Sequence, residues 1–200
     1  MKKIALSNIL MLIILTLAVI QAPLFYYYTY GPLGSLLMLL YSLIGVGLTL
    51  WLFVILPNNE NNHSRIINTT GLVLAVIIGI FSWFQQDNME KLDWKLRKNK
   101  RQEIVNNIMS GELMSNESKI DTVYKISNWT FPPISNGGNA IVIEKEEEGI
   151  TVKFFIDRGL RHHHSAFVYT NNPKRTKDLN RRIKFKNSRK LEPNWYRISY

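Results

Sequence analysis

Three adjacent histidines, His162-His163-His164, are the residues best suited by type to hold a metal ion. Neutral imidazoles bind zinc and copper, and three of them can make a hydrolytic zinc centre. On an extended segment successive side chains point to opposite faces, so His162 and His164 share a side while His163 does not. A third ligand then has to come from Asp157, His63 or a residue that the sequence does not place. One reading is therefore a metal-dependent hydrolase centred on the His162–His164 loop; the other is a polar loop between two strands. Glu144, Glu146, Glu147 and Glu148 form a second cluster. It lacks the alternating oxygen ligands and placed glycine of a calcium loop and reads as a solvated turn. The sequence holds no Ser/His/Asp arrangement, phosphate-cradling glycine loop or HExxH pair. It also has no cysteine, which removes thiolate metal sites, a cysteine nucleophile and disulfides. These residues point to a protein that is not an enzyme and carries no cofactor.

The strongest electrostatic feature lies near the C-terminal end. Residues 174–190 hold Lys174, Arg175, Lys177, Arg181, Arg182, Lys184, Lys186, Arg189 and Lys190 against Asp178 alone. Such a surface attracts polyanions. Arg181, Arg182, Lys184 and Lys186 are the candidate anion-binding set, and the alternation Arg182-Ile183-Lys184-Phe185-Lys186 predicts a strand with Ile183 and Phe185 pointing inward. Nucleic acid is disfavoured, because no recognition motif accompanies the charge. Anionic lipid, an anionic wall polymer or another protein remain as partners, and a basic face with no ligand is the bland alternative.

The elements that must position these residues follow from a sharp division of charge. Of 25 Lys/Arg and 15 Asp/Glu, three bases (Lys2, Lys3, Arg65) and one acid (Glu60) precede residue 87; the other 22 bases and 14 acids lie in residues 87–200. The mean hydropathy of −0.07 averages two unlike halves. Apolar runs at about 4–26, 33–56 and 66–84 predict three transmembrane helices. The shortest spans about 28 Å at the helical rise, close to the ~30 Å hydrocarbon core. Tyr26, Tyr27, Tyr28 and Tyr30 follow the first run and Trp83-Phe84 close the third, as interfacial aromatics do. Gly31-Pro32 and Pro57–Asn62 are the predicted connections.

The Met1-Lys2-Lys3 start resembles a signal peptide, but Ile20 and Pro23 flank Ala22 and disfavour cleavage there, which leaves an uncleaved anchor. Orientation is contested. Lys91, Lys95, Arg97, Lys98, Lys100 and Arg101 would hold the tail inside, whereas the Lys2-Lys3 start favours an inside N-terminus and an exported tail. No ionisable residue lies within the spans, which argues against a transporter or proton relay. Gly71, Ala75 and Gly79 recur every four residues on the third span and suit close helix packing, either within the unit or in self-association. A membrane-embedded immunity or accessory protein, with the spans as its working surface, is a further reading.

Residues 87–200 read as one basic α+β domain, a helix packed on an antiparallel sheet of four to six strands. Asp87-Asn88-Met89-Glu90 opens a helix that runs to Met109, and Gly111 stops it. Leu92, Leu96, Ile104, Val105, Ile108 and Met109 are its predicted apolar face. Trp94, Arg97, Lys98 and Arg101 are candidate contacts to lipid headgroups. Ala140–Lys145 and Ile150–Asp157 predict a hairpin, with Val152, Phe154 and Ile156 on one face and Lys153 on the other. Ser165–Thr170 and Trp195–Tyr200 predict further strands.

Several strings resemble an uncharacterised family of membrane-anchored proteins of bacilli and their relatives. They are Lys91-Leu92-Asp93-Trp94-Lys95-Leu96-Arg97 with Lys100-Arg101, Ile134-Ser135-Asn136-Gly137-Gly138-Asn139, and Val152-Lys153-Phe154-Phe155 leading to Arg158-Gly159. Phe167-Val168-Tyr169-Thr170 and Asn194-Trp195-Tyr196-Arg197 complete the set. The resemblance spans the extramembrane domain. It implies a multi-pass protein of the cell membrane whose domain is extracytoplasmic, and it brings no enzymatic activity. Arg161-His162-His163-His164 departs from that pattern, which separates the histidines from whatever role the resemblance implies.

Overall fold

The structure, a computed structural model, describes residues 2–28, 31–55, 62–112, 121–125, 132–136, 138–158, 164–184 and 187–200. Its contacts divide it into two units. One comprises Met1–Tyr26 and Leu33–Glu90; the other comprises Tyr27–Pro32 and Lys91–Tyr200.

The first unit is helical: α1 (Lys2–Tyr28), α2 (Gly31–Ile55) and α3 (Asn62–Phe84). All three are long and apolar enough to cross a membrane, over Leu6–Tyr28, Leu36–Val54 and Arg65–Ser82. Gly31 and Pro32, expected in a connection, instead open α2, where proline is tolerated because the first turn lacks an acceptor for its missing N–H. Tyr30 and the Pro57–Asn61 part of the second connection lie outside the described residues. Leu10, Ile14 and Ala18 of α1 pack with Leu52 of α2 and with Leu72 and Ala75 of α3. The outward residues are apolar as well, such as Leu12, Leu43, Val54 and Ile66, each more than half exposed. The buried set includes Ser7 and Asn68, both fully enclosed. Asn68 Nδ2 donates to Ser7 Oγ and Asn8 Oδ1, each at 3.0 Å, and so ties α3 to α1. The outer surface of this unit is apolar, and its interior adds this polar contact to an apolar core.

The second unit is built on a six-stranded antiparallel sheet in the order β1-β2-β3-β4-β6-β5. The strands are β1 (Asp121–Lys125), β2 (Ala140–Glu146), β3 (Gly149–Arg158), β4 (His164–Thr170), β5 (Arg189–Glu192) and β6 (Trp195–Ser199). The predicted hairpin is β2–β3, with Ile141 opposite Phe154 and Ile143 opposite Val152. Its two-residue connection ends on Gly149 at φ 151°, where a Cβ would lie 3.0 Å from the Asn172 backbone nitrogen. Strand alternation gives the sheet two unlike faces. Ile141, Ile143, Val152, Phe154, Phe167 and Trp195 form one of them, all buried.

Helix α4 (Gln86–Met109) covers that face, with Trp94 against Phe167 and Trp195 at ring distances of 5.0 and 5.2 Å. The expected apolar stripe holds only in its second half. Ile104, Val105 and Ile108 are buried, whereas Leu92, Leu96 and Met109 are 47%, 69% and 52% exposed. In the first half the inward positions are Asp93, Trp94, Arg97 and Arg101, because this end of the helix meets backbone carbonyls of the 132–134 segment, which call for donors.

The opposite face carries a second helix that the sequence reading did not anticipate. Helix α5 (Pro173–Arg182) ends on Arg182, the residue at which charge alternation predicted a strand to start. Ile183 and Lys184 form the turn after it, and Phe185 and Lys186 lie outside the described residues. Asn172 caps the helix, its Oδ1 accepting from Lys174 N at 2.9 Å and Arg175 N at 3.1 Å, and Pro173 takes the first helical position. Leu179 anchors it on Ala166, Val168, Tyr196 and Ile198. The domain therefore has three layers, helix–sheet–helix, rather than the two expected.

Candidate functional site: a cationic cleft beside helix α5

Helix α5 is only ten residues long and packs through Leu179 over β4 and β6. A cleft of about 280 Å³ opens beside it. Its floor is Glu144 of β2, Thr151 and Lys153 of β3, Val168 of β4 and Tyr200; its wall is Arg175, Asp178, Leu179, Arg181 and Arg182 of α5. Strand parity explains the floor. Thr151, Lys153 and Glu144 alternate with Val152, Phe154 and Ile143, so the residues excluded from the apolar face line the cleft.

Inside, carboxylates and cations are interleaved. Lys153 Nζ donates to Glu144 Oε1, and Arg175 reaches Glu146 Oε1 with Nε at 2.7 Å. Asn172 Nδ2 holds the other Glu146 oxygen at 3.0 Å. The hydrogen bond to Glu146 raises the Arg175 pKa above its ordinary value, against the effect of burial, so this cation stays charged. Glu144 and Glu146 thus belong to the anchorage of α5, not to a solvated turn; Glu147 and Glu148 remain exposed. Glu144 Oε2 lies 3.2 Å from Arg175 Nη2 but off the hydrogen-bonding axis, and accepts no hydrogen bond.

Tyr200 sits at the junction of floor and mouth. The Arg182 guanidinium lies 5.1 Å from its ring centre and Lys153 Nζ 5.5 Å. The His164 ring stacks on it at 4.2 Å. Burial, and after it the Glu144 charge, pushes the phenol up to about 12 against the opposing arginines, so it is a neutral hydroxyl at physiological pH.

The anion-binding residues expected from sequence are partly brought together. Arg181 and Arg182 line the cleft, both exposed, and Lys184 is exposed in the turn behind them; Lys186 lies outside the described residues. Arg181 has only a loose 3.9 Å approach to Asp178, and among the described residues Arg182 has no carboxylate partner. Lys153, Arg175 and Tyr200 were not among the expected site residues. The signal for Lys153 was its position opposite Val152 and Phe154; that for Arg175 was the Asn172-Pro173 helix start.

The four residues expected at lipid headgroups are engaged within the domain. Arg101 is 2% exposed, with Nη2 2.5 Å from Asp93 Oδ2 and 3.2 Å from the Ile134 carbonyl. Its guanidinium stacks 4.5 Å from the Phe167 ring centre. Arg97 donates to the Pro132 and Pro133 carbonyls, and Lys98 pairs with Glu192 at 2.6 Å. Trp94 lies between Phe167 and Trp195. In these contacts Arg101 is buried and Trp94 half-buried. The basic residues left exposed on this part of α4 are Lys91, Lys95 and Lys100.

The small residues of α3 serve packing in the first unit. A Cβ at Gly71 would come 2.5 Å from Met11 Sδ of α1, and Ala75 is buried. Gly79 borders an apolar groove of about 630 Å³ with Ala18, Tyr41 and Gly45. Of the three histidines, His164 begins β4, while His162 and His163 lie outside the described residues. Among the described residues no group of three or more His, Asp or Glu is arranged to hold a metal.

The strings behind the family resemblance build the junction of α4 with the sheet. Asp93, Trp94, Arg97 and Arg101 meet Pro132–Ile134, Phe167 and Trp195. The Ile134–Asn139 loop is pinned to β3, with Asn136 Nδ2 on the Ile156 carbonyl at 2.6 Å and Phe155 N on Ser135 Oγ at 2.9 Å. No protein-family model, curated protein or solved structure matches the chain.

Proposed function

We propose that this is a non-enzymatic integral membrane protein whose three spanning helices hold the basic domain at the surface of the plasma membrane, where it binds an anionic polymer. Helix α5 carries the reading. Five of its ten residues are cations and one is an acid, and Leu179 is its buried residue. A helix with one buried apolar side chain, Leu179, and with Lys174, Lys177, Arg181 and Arg182 exposed is a surface for charge. Equilibrium binding of heparin by the full chain, held in discs of zwitterionic lipid, tests it. Affinity should fall steeply as salt rises; binding that is absent or indifferent to salt contradicts it.

The Lys2-Lys3 start and the family resemblance support an extracytoplasmic domain. A reporter fused after Tyr200 that works only outside the cytoplasm should be active, and activity solely from a cytoplasmic reporter reverses the orientation.

A further inference from the structure

We propose that the outward face of the first half of α4 seats in the headgroup layer of the membrane that holds the spans, and binds anionic phospholipid there. This rests on the spans lying in a bilayer and goes beyond the reading of α5, since it concerns the helix on the other face of the sheet. Leu92 and Leu96 are 47% and 69% exposed. One helical turn separates them, so they form a single apolar strip. At 100° per residue Lys91 and Lys95 border that strip on one side and Lys100 on the other, all three exposed. Lys100 is paired with Glu103 at 2.6 Å. Among the described residues the ion pairs of α4 use Arg97, Lys98, Lys100 and Arg101, and neither Lys91 nor Lys95.

What covers the strip follows from where the chain puts it. Helix α3 ends at Phe84 and α4 begins at Gln86, so Leu92 stands about 12 Å of helix beyond the third span. A second tie comes from α1. Tyr27, in the last turn of the apolar stretch Leu6–Tyr28, belongs to the same unit as Asp93 and donates to its Oδ1 at 2.9 Å. Its neighbour Tyr28 is 38% exposed, as suits a tyrosine at the level of the headgroups. Leu92 adjoins Asp93 in the chain and is held at that level. Leucines there reach the acyl boundary, and lysines on flexible stems reach the phosphates. Cations without a carboxylate partner favour anionic over zwitterionic lipid.

The chain has no cysteine, so a single introduced one can carry a bimane fluorophore. The full chain is labelled at Leu96→Cys, or at Lys177→Cys on α5 for reference, both exposed positions. Each is placed in discs of phosphatidylcholine with phosphatidylglycerol. A nitroxide on the lipid headgroup should quench the label at position 96 about threefold more than that at position 177. With the nitroxide high on the acyl chain, phosphatidylglycerol should quench the label at position 96 about twofold more than phosphatidylcholine at equal mole fraction. Lys91→Gln combined with Lys95→Gln should bring the two lipids level while headgroup quenching persists. Equal headgroup quenching at the two positions, no preference for phosphatidylglycerol, or a preference indifferent to the lysine changes overturns the proposal. So does a label at position 96 shielded from both lipid nitroxide and aqueous iodide, which would mean that a protein covers the face. If quenching at position 96 fails while the full chain resists alkaline carbonate, this face leaves the membrane and the spanning reading stands. Release by carbonate overturns both.

Discussion

Replacing Arg101 with alanine should destabilise the extramembrane domain by about 3–5 kcal/mol, the largest loss expected from a single substitution. Arg101 is the bulkiest fully buried side chain, and it pairs with an Asp93 carboxylate whose side chain is 1% exposed. Removing it takes away the ion pair to that carboxylate, the donor to the Ile134 carbonyl and the cation on the face of Phe167. Asp93 keeps the contact with Arg97 at 3.5 Å and the hydrogen bond from Tyr27, which clusters with the same unit, at 2.9 Å. Arg101→Lys keeps a charge but not the two-pronged contact and should fall between. Changing Asp93 and Arg101 together to apolar residues should cost less than Arg101→Ala alone, because no buried charge is left behind. Denaturation of the full chain in detergent, followed by near-ultraviolet circular dichroism, measures all three. A loss below 1 kcal/mol for Arg101→Ala would mean that this pair is hydrated rather than enclosed.

The second large effect is on binding. Reversing Arg181, Arg182 and Lys184 to glutamate should reduce heparin affinity at low salt by roughly a hundredfold or more, and flatten the salt dependence by about two to three units of slope. The magnitude follows from counterion release, in which each neutralised anion contributes roughly 0.7–0.9 to the slope. The fold should survive, since all three side chains are exposed and the Asn172 cap and Leu179 anchor are untouched. Lys98→Ala, which breaks an exposed pair with Glu192, is the control and should change neither quantity. An unchanged slope in the triple variant would move the polyanion surface away from α5.

Much of this architecture is legible in the sequence, and the exceptions have physical causes. The three apolar runs are unambiguous because lipid demands long uncharged helices. The β2–β3 hairpin is equally plain, since Val152, Phe154 and Ile156 alternate against Lys153 and a glycine closes the turn. Helix α5 was hidden by an accident of pattern: Arg182–Lys186 alternates as a strand would, while Asn172-Pro173 ten residues earlier is the stronger start signal. The first half of α4 misled for another reason. Leu92 and Leu96 have the spacing of a core face, but the 132–134 segment beneath offers backbone carbonyls, and donors from arginine outweigh apolar contact there. Reading arginine as surface charge is sound for most sequences; Arg101 reverses it because Asp93 lies eight positions away, two helical turns along the same face. The cleft was half visible. Its cations on α5 stood in a conspicuous run, whereas Glu144, Lys153 and Tyr200 are joined to them only by strand register.

The account depends most on residues 2–84 lying in a bilayer. Washing membranes from expressing cells with alkaline carbonate, then separating pellet from supernatant, is the direct measurement. The full chain should remain in the pellet and leave it only with detergent. Release into the supernatant by carbonate alone would contradict three spanning helices, and with them the placing of the basic domain at a membrane surface.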